Sequence, residues 1–205
     1  PITYKMWGLT DLAIACIEES KNHLKACESV WLDAYKEQIE IVGYFDEEYP
    51  ALLREIPDPP MVLYVRGDKA LLNENMIGVV GSRKCTEYGY HTAVRLGKEL
   101  SECGLLVISG MALGIDAAAH YGALEVGTSM AVLGTGVDLC YPNSNMGIYR
   151  KLIEKGCVVS EYEPHTQARP YHFPRRNRII SGMSYGIAVV EAAARSGSLI
   201  TAQLA

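Results

Sequence analysis

Apolar and polar residues follow one another in a regular succession from residue 76 onward. Short apolar runs of strand length alternate with longer segments in which apolar residues recur every three or four positions. The predicted strands are Met76–Val80, Leu105–Ile108, Met130–Leu133, Cys157–Val159 and Ile187–Val190. Helices are predicted from about Tyr88, from Ile115 and after Asn143. Strands that alternate with helices at this spacing predict an α/β fold with a parallel, doubly wound, Rossmann-like sheet.

The first 40 residues carry a helical pattern instead. Thr10 can cap a first helix, on which Leu12, Ala13, Cys16 and Ile17 form an apolar stripe. A second predicted helix carries a similar stripe formed by Val30, Trp31, Ala34 and Tyr35. We expect both stripes to belong to a core. Two short helices bury little surface alone, so residues 1–40 are predicted to dock on the remainder of the chain or to be the remnant of a larger helical module.

Residues 41–68 are interrupted by prolines that break any long helix. This segment is predicted to be an ordered connector that ends in a strand-like run, Met61–Val65. The predicted organisation is therefore a small helical N-terminal segment at 1–40 and an α/β domain at 41–205.

Almost every predicted strand of the sheet runs into Gly or Ser. These strand ends are Gly81-Ser82-Arg83, Ser109-Gly110, Gly134-Thr135-Gly136, Ser160-Glu161 and, after Glu191, Ser196-Gly197-Ser198. Ligands of such sheets bind beyond the carboxyl ends of the strands, where glycine lets a phosphate approach the backbone and helix N–H groups attract anions. Neither a complete G-x-G-x-x-G at the first strand nor a Walker-type Gly-Lys-Ser/Thr is present. This argues against a dinucleotide enzyme or an ATPase.

The stretch from residue 169 to residue 184 concentrates basic and aromatic side chains. It holds Arg169, Arg175, Arg176 and Arg178 together with Tyr171 and Phe173. No Asp or Glu occurs from Pro164 to Val190. Cations for phosphates and flat rings for bases are what a single-stranded nucleic acid requires. The alternative interpretation is an Arg-rich helix start whose guanidinium groups pair with neighbouring carboxylates.

Arg83 comes directly after the first strand of the predicted sheet. If it projects over the same edge as the arginines of residues 169–184, these cations form a basic pocket above glycine-rich turns. The alternative for Arg83 is a structural salt bridge with Asp116 or Glu191.

Composition and charge narrow the classes of partner. The 205 residues are 49% apolar and 21% charged and carry a net charge of −5, so nucleic acid is expected at a local patch rather than across the surface. The six cysteines form no C-x-x-C pair and the five histidines lack metal-ligand spacing with them, so neither a metal nor a cofactor is expected. Neither a membrane span nor a signal peptide is predicted, and a cytoplasmic location is expected.

Five groups of motifs recur at the strand ends and on the arginine-rich segment. They are G-S-R at 81–83 with Tyr88-Gly89, S-G-x-A-x-G-I-D at 109–116, A-V-L-G-x-G-x-D at 131–138 with Tyr141-Pro142, F-P-R-R-N-R-I-I at 173–180, and E-A at 191–192 with S-G-S-L-I-T at 196–201. Together these motifs resemble the DNA-processing protein A family (DprA, also Smf). The resemblance runs from about Ile41 to the last residue. It implies an extended Rossmann domain, truncated at its C-terminal end, after a helical domain similar to a sterile-alpha-motif fold.

The resemblance implies a DNA-binding function without catalysis. Members of the family bind single-stranded DNA that enters during natural transformation, load the RecA recombinase onto it and typically form homodimers. By the same resemblance Arg83 contacts DNA, Phe173 stacks on a base, and Arg176 and Arg178 are the arginines of the motif. The candidate nucleic-acid-binding residues are Gly81, Ser82, Arg83, Ser109, Gly110, Arg169, Phe173, Arg175, Arg176, Asn177 and Arg178.

Two other functions remain open at this point. A related Rossmann-like protein that senses a small nucleotide, or hydrolyses its N-glycosidic bond, would use Glu191 or Glu161 as its acid. This chain lacks the P-G-G-x-G-T run that we associate with that activity. An assembly protein with a merely structural glycine-rich edge would leave the acid-free arginine stretch unexplained.

Overall fold

The computed structural model describes residues 10–20, 24–192 and 197–203 of the chain. They belong to two units, Pro1–Glu37 and Gln38–Ala205. The first unit contains helix α1, Asp11–Ser20, and helix α2, Leu24–Lys36. Both helices are present where the sequence pattern predicts them.

The apolar stripe predicted on α2 is only partly core. Ala34 is buried, but Trp31 is 54% and Tyr35 72% exposed. The two rings stack on each other with 5.8 Å between their centroids. The prediction of a core stripe is therefore wrong for these two rings, because residues four apart on a helix cover each other without needing a partner surface. Cys16 of the α1 stripe is exposed as well, and the side chains of Leu12, Ala13 and Ile17 lie outside the described part.

A seven-stranded sheet organises the second unit. Its strands are β1 (Glu40–Gly43), β2 (Val62–Gly67), β3 (Met76–Val80), β4 (Leu106–Ser109), β5 (Ser129–Val132), β6 (Cys157–Ser160) and β7 (Gly186–Val189). The spatial order is β1-β2-β6-β5-β4-β3-β7. Neighbouring strands pair in parallel across β6, β5, β4, β3 and β7. Strands β1 and β2 extend this sheet through antiparallel pairs, β1 with β2 and β2 with β6.

Helices connect the strands and cover both faces of the sheet. They are α3 (Ala51–Arg54), α4 (Glu87–Glu102), α5 (Ile115–Val126), α6 (Met146–Lys155), α7 (His172–Met183) and α8 (Gly197–Gln203), with short 3-10 turns at Lys69–Asn73 and Asn143–Asn145. The predicted α/β class is therefore confirmed. Strand β1 was not predicted, because its four residues show too short an alternation to be distinguished from a connector.

Side chains that alternate along the central strands belong to two separate cores, one on each face of the sheet. On one face Met76 and Ile108 pack with Ile179 of α7. On the other face Val79 and Val107 pack with the alanines of α5. Such alternation is expected where a sheet is covered on both sides, since successive side chains of a strand point to opposite faces.

The small-residue face predicted on α5 has two neighbours rather than one. Ala118, Ala119 and Ala123 are buried against the sheet as predicted. Gly122 instead approaches α4, where a Cβ at this position would overlap the carbonyl oxygen of Val94. The small residues therefore set how closely α5 approaches both the sheet and its neighbouring helix.

Among the helices of residues 10–20, 24–192 and 197–203, none has the length and apolar content of a membrane span.

His120 of α5 is a buried histidine that stays neutral. The Ser129 hydroxyl donates to the Val107 carbonyl at 2.8 Å and lies 2.7 Å from Nδ1 of His120, so Nδ1 carries the proton and donates to Ser129. Within the described residues Nε2 has no hydrogen-bond partner. Burial, with a smaller contribution from the positive charge of Arg176, lowers the pKa of His120 from 6.5 to about 3.

This histidine should make the fold sensitive to acid. The unfolded chain binds a proton at His120 below pH 6.5, whereas the folded chain binds it only near pH 3. The folded state is therefore most stable above pH 6.5 as far as His120 is concerned, and its free energy of unfolding decreases as the pH falls below that value. We expect His120 to lower the free energy of unfolding by about 1.4 kcal/mol per pH unit in that window.

Urea denaturation between pH 7.5 and 4.5 tests this expectation on the wild type, His120→Asn and, as an exposed control, His91→Asn. The asparagine amide at position 120 can still donate to Ser129 but does not titrate. His120→Asn should show the shallower dependence on pH, and His91→Asn should behave like the wild type. Equal slopes for all three proteins would contradict the assignment.

Candidate nucleic-acid interface

A cleft of about 480 Å³ opens at the carboxyl edge of the parallel strands. The loops after β3, β4 and β5, the first turns of α5 and α7 and the start of α8 form its walls. The cleft is lined by Val80, Gly81, Ser82, Arg83, Ala112, Asp116, Tyr141, Pro170, Phe173, Pro174, Arg176, Asn177, Ile180, Gly197, Ser198 and Thr201. The loops meet here because parallel strands end at the same edge of a sheet.

Glu191 holds the loop that carries Arg83. The Ser82 N–H donates to the Glu191 carbonyl at 2.6 Å. The Glu191 carboxylate accepts from the N–H of Thr86 at 3.0 Å and from its hydroxyl at 2.8 Å. Thr86 in turn caps α4 by accepting from the Gly89 N–H at 3.0 Å. The end of β7 therefore positions both ends of the β3–α4 loop.

Arg83 is exposed at the mouth of the cleft. In the described part of the chain, neither Asp116 nor Glu191 forms an ion pair with it. Its guanidinium carbon instead lies 5.5 Å from the centroid of the Phe173 ring. A cation over an aromatic face keeps most of its N–H groups available, so Arg83 can still donate to an anion.

Arg176 lies at the bottom of the cleft, where its charge interacts with that of Asp116. Both side chains are buried, with 4% and 7% exposure. Arg176 Nη1 donates to the Val132 carbonyl at 2.6 Å, and within the described residues its Nε has no partner. Burial lowers the pKa of Arg176 to about 10 against the opposing effect of Asp116, so the guanidinium keeps its charge at neutral pH.

Backbone N–H groups of two strand-end loops surround the Asp116 carboxylate. The Gly110 N–H donates to it at 3.2 Å, and the N–H groups of Ala112 and Gly81 also favour its charged form and lower its pKa. Burial raises the pKa of Asp116, and Arg176 and these donors oppose that rise. Gly110 is needed here because a Cβ at this position would overlap the Arg176 guanidinium.

Arg178 and Arg175 face a different cleft. Arg178 donates from both terminal nitrogens to the Glu161 carboxylate, at 2.7 and 2.8 Å, and from Nε to the Asp58 carbonyl at 2.8 Å. Arg175 Nε lies 3.5 Å from Glu161. A cleft of about 360 Å³ separates these groups from the Pro59–Tyr64 segment. The arginines of α7 are thus divided between two sites, as the 100° step per residue of a helix requires.

Three other candidate residues lie outside the lining of the first cleft. Ser109 is fully buried and its hydroxyl donates to the Val79 carbonyl. Gly110 contributes its N–H to Asp116 instead. Arg169 is exposed and Nη1 donates to the Tyr171 hydroxyl at 2.9 Å.

The structure therefore brings together only part of the predicted set. Gly81, Ser82, Arg83, Phe173, Arg176 and Asn177 line the cleft, and Asn177 also donates to the Gly197 carbonyl at 3.3 Å. Sequence analysis did not select Tyr141 as a site residue, although its ring lies 5.4 Å from that of Phe173. The Tyr141-Pro142 motif could have indicated it.

The model of the family "DNA recombination-mediator protein A" matches residues 40–205 of the chain. The DNA processing protein DprA of Bacillus subtilis is 40% identical over 174 residues, and that of Streptococcus pneumoniae is 44% identical over 161 residues. The matches cover 83% and 78% of this chain. They cover 59% and 57% of those relatives, so the chain spans little more than half of their length.

Solved structures of two DprA proteins have the same fold. The X-ray structure of DprA from Streptococcus pneumoniae superposes with a TM-score of 0.77 at 40% identity, covering 83% of this chain and 62% of that one. A Helicobacter pylori DprA structure, which describes a single-stranded DNA binding mode of that protein, superposes with a TM-score of 0.75 at 29% identity, covering 82% and 75%. Motifs, family model and fold agree: the chain belongs to the DNA recombination-mediator protein A (DprA) family of DNA-processing proteins.

Proposed function

We propose that this chain binds single-stranded DNA in the cleft at the carboxyl edge of the sheet. The observation that carries the proposal is an Arg83 guanidinium, not paired with a carboxylate in the described part of the chain, beside two aromatic rings that line the same cleft. Arg83 would contact phosphate, and bases would stack on the rings of Phe173 and Tyr141. Because stacking and phosphate contacts carry little sequence information, we expect weak sequence preference.

We further propose that the cleft binds without catalytic turnover. The acids considered for glycosidic hydrolysis are both occupied by structural partners: Glu161 by Arg178, and Glu191 by Thr86. Asp116 does line the cleft, but it is buried, and its carboxylate accepts from the Gly110 N–H and interacts with the charge of Arg176. These contacts favour binding over general acid catalysis, which needs a group within reach of the substrate.

The wider role is proposed from the family. The Helicobacter pylori relative supports single-stranded DNA as the ligand. We propose that the protein acts in the cytoplasm, protects incoming single strands in natural transformation, loads the RecA recombinase onto them and forms a homodimer. Binding of single strands at the cleft is the step on which the other proposals depend.

Replacing Arg83 should weaken DNA binding through the loss of one phosphate contact. For Arg83→Ala we expect the slope of log affinity for oligo-dT against log salt concentration to fall by about 0.7. A charge-assisted hydrogen bond is worth about 1.5–3 kcal/mol, so affinity should fall about 10- to 150-fold at low salt. Fluorescence anisotropy with labelled oligo-dT measures both quantities.

Lys84→Ala is the matched control, because it removes the same charge from the next residue, which is exposed and does not line the cleft. It should leave the salt slope nearly unchanged. If both variants weaken binding equally, net charge rather than the cleft controls affinity, and the proposed site is wrong.

Arg178 is a predicted DNA-binding residue whose contacts suggest a second role. Its side chain is 13% and that of Glu161 8% exposed, so Arg178→Ala leaves a buried carboxylate without its main partner. We expect a loss of about 3–5 kcal/mol in the free energy of unfolding. Arg175→Ala, at a side chain that is 56% exposed, should cost about 1 kcal/mol or less.

Urea denaturation measures these losses, and oligo-dT titration of the folded variants shows whether either arginine also binds phosphate. If Arg178→Ala keeps the stability of the wild type and reduces the salt slope as Arg83→Ala does, Arg178 contacts DNA and its structural role is refuted.

A further inference from the structure

The short segment that carries Arg83 is fixed at both of its ends by one residue, Glu191. Before the segment, the Ser82 N–H donates to the Glu191 carbonyl at 2.6 Å. After it, the Glu191 carboxylate accepts from the Thr86 N–H at 3.0 Å and from the Thr86 hydroxyl at 2.8 Å. Between these points, within the described residues, the segment has one hydrogen bond of its own, from the Lys84 N–H to the Ser82 hydroxyl at 3.2 Å. The position of Arg83 therefore depends on contacts made by Glu191.

The Glu191 carboxylate also replaces a side chain that helix α4 lacks. In a capping box the hydroxyl of the N-cap residue accepts from the N–H three residues later, and an acid at that third residue accepts from the N-cap N–H. Thr86 is the N-cap of α4 and its hydroxyl accepts from the Gly89 N–H at 3.0 Å, but glycine has no side chain that could return the bond. Glu191 returns it from the segment after β7, and a Cβ at Gly89 would overlap its carboxylate. Gly89 thus leaves the space in which a distant acid completes the cap.

The charge of Glu191 is unfavourable for a protein that binds a polyanion. A carboxylate near a bound phosphate repels it, and the chain as a whole already carries a net charge of −5. In the described part of the chain Glu191 neither lines the cleft nor forms an ion pair with Arg83. Its contacts instead fix the loop before any ligand arrives, and such preorganisation lowers the entropic cost of binding. Repulsion and preorganisation have opposite effects on affinity, so the two can be separated by mutation.

We infer that Glu191 is a positioning residue for DNA binding, an acid that raises the affinity of the protein for a polyanion. Its carbonyl and its carboxylate hold the two ends of the segment that presents Arg83 at the mouth of the cleft. The inference rests on the proposed binding of single-stranded DNA. It places Glu191 outside the bound strand, where it acts on phosphate through Arg83 alone.

Glu191→Ala should weaken binding although it removes a negative charge. The substitution releases the Thr86 end of the segment and keeps the backbone contact to Ser82. If one more residue must then be ordered when DNA binds, affinity for oligo-dT falls about 5- to 30-fold, which fluorescence anisotropy measures. Glu191→Gln keeps an acceptor for the Thr86 N–H and should bind more tightly than Glu191→Ala.

Glu87→Ala is the matched control, because it removes a carboxylate from the residue next to Thr86 whose side chain is 91% exposed. It should not weaken binding. If repulsion is the only effect of Glu191, both neutral variants at position 191 bind oligo-dT at least as tightly as the wild type, and the inference is overturned.

The Arg83→Ala background shows whether Glu191 acts through Arg83. Two residues that serve the same contact have non-additive effects, so Glu191→Ala should cause no further loss of affinity in Arg83→Ala. An equal loss in both backgrounds would refute the positioning role. If Arg83→Ala weakens binding and Glu191→Ala does not, the inference alone is wrong. If the wild type fails to bind oligo-dT, or Arg83→Ala binds it like the wild type, the proposed function is wrong as well.

A local capping box separates capping of α4 from positioning of the loop. In the double variant Glu191→Ala with Gly89→Glu, the new carboxylate can accept from the Thr86 N–H without a bond to the segment after β7. The side chain fits once that of Glu191 is removed, since the remaining neighbour of a Cβ at Gly89 is the Thr86 hydroxyl oxygen at 3.4 Å. Urea denaturation should show higher stability than for Glu191→Ala, while affinity for oligo-dT stays low. Recovery of both would mean that Glu191 merely caps α4, and the positioning role would be refuted.

Discussion

The electrostatic attraction between the buried charges of Arg176 and Asp116 is the interaction on which the carboxyl edge of this sheet depends. A guanidinium with 4% exposure requires a counter-charge, and Asp116 supplies one from the first turn of α5, where a carboxylate is also favoured by the helix dipole. The Arg176 guanidinium joins α7 to the end of β5 through the Val132 carbonyl, and the Asp116 carboxylate joins α5 to the loop after β4 through the Gly110 N–H. Removing either partner would leave a buried charge at the meeting point of these elements.

The side of α7 that carries Arg176 faces the cleft. Phe173 and Asn177 line the same cleft as Arg176. Arg175 and Arg178 instead line the second cleft, beside Glu161. Each side of the helix has its own carboxylate, Asp116 in one cleft and Glu161 in the other. An arginine-rich segment that looks uniform in sequence is therefore two sets of cations with different surroundings, and Arg83 adds the exposed charge on one side.

Much of this organisation is predictable from sequence, and the parts that are not have identifiable causes. Apolar runs predict the parallel strands, and glycine at their ends predicts a ligand-binding edge. Pattern alone cannot distribute the arginines of residues 169–184, because their environment depends on which loops face each side of α7. Nor does it show that the charge of Asp116 acts on Arg176, whereas Arg83 forms no ion pair with Asp116 in the described part of the chain. Trp31 and Tyr35 have the spacing of a core stripe, but they cover each other and remain exposed.

The net charge of −5 makes local geometry more important for this protein than it is for a basic DNA-binding domain. The general field of the molecule does not attract a polyanion, so attraction must come from a small region where cations outnumber carboxylates. In the cleft Asp116 offsets one charge, that of Arg176, and Arg83 remains at the mouth without a carboxylate partner among the described residues. A single cation of this kind gives modest affinity unless flat surfaces beside it contribute stacking. The packing of Tyr141, Phe173 and Arg83 provides such surfaces, and for that reason the aromatic rings are as necessary to the proposed binding as the charge.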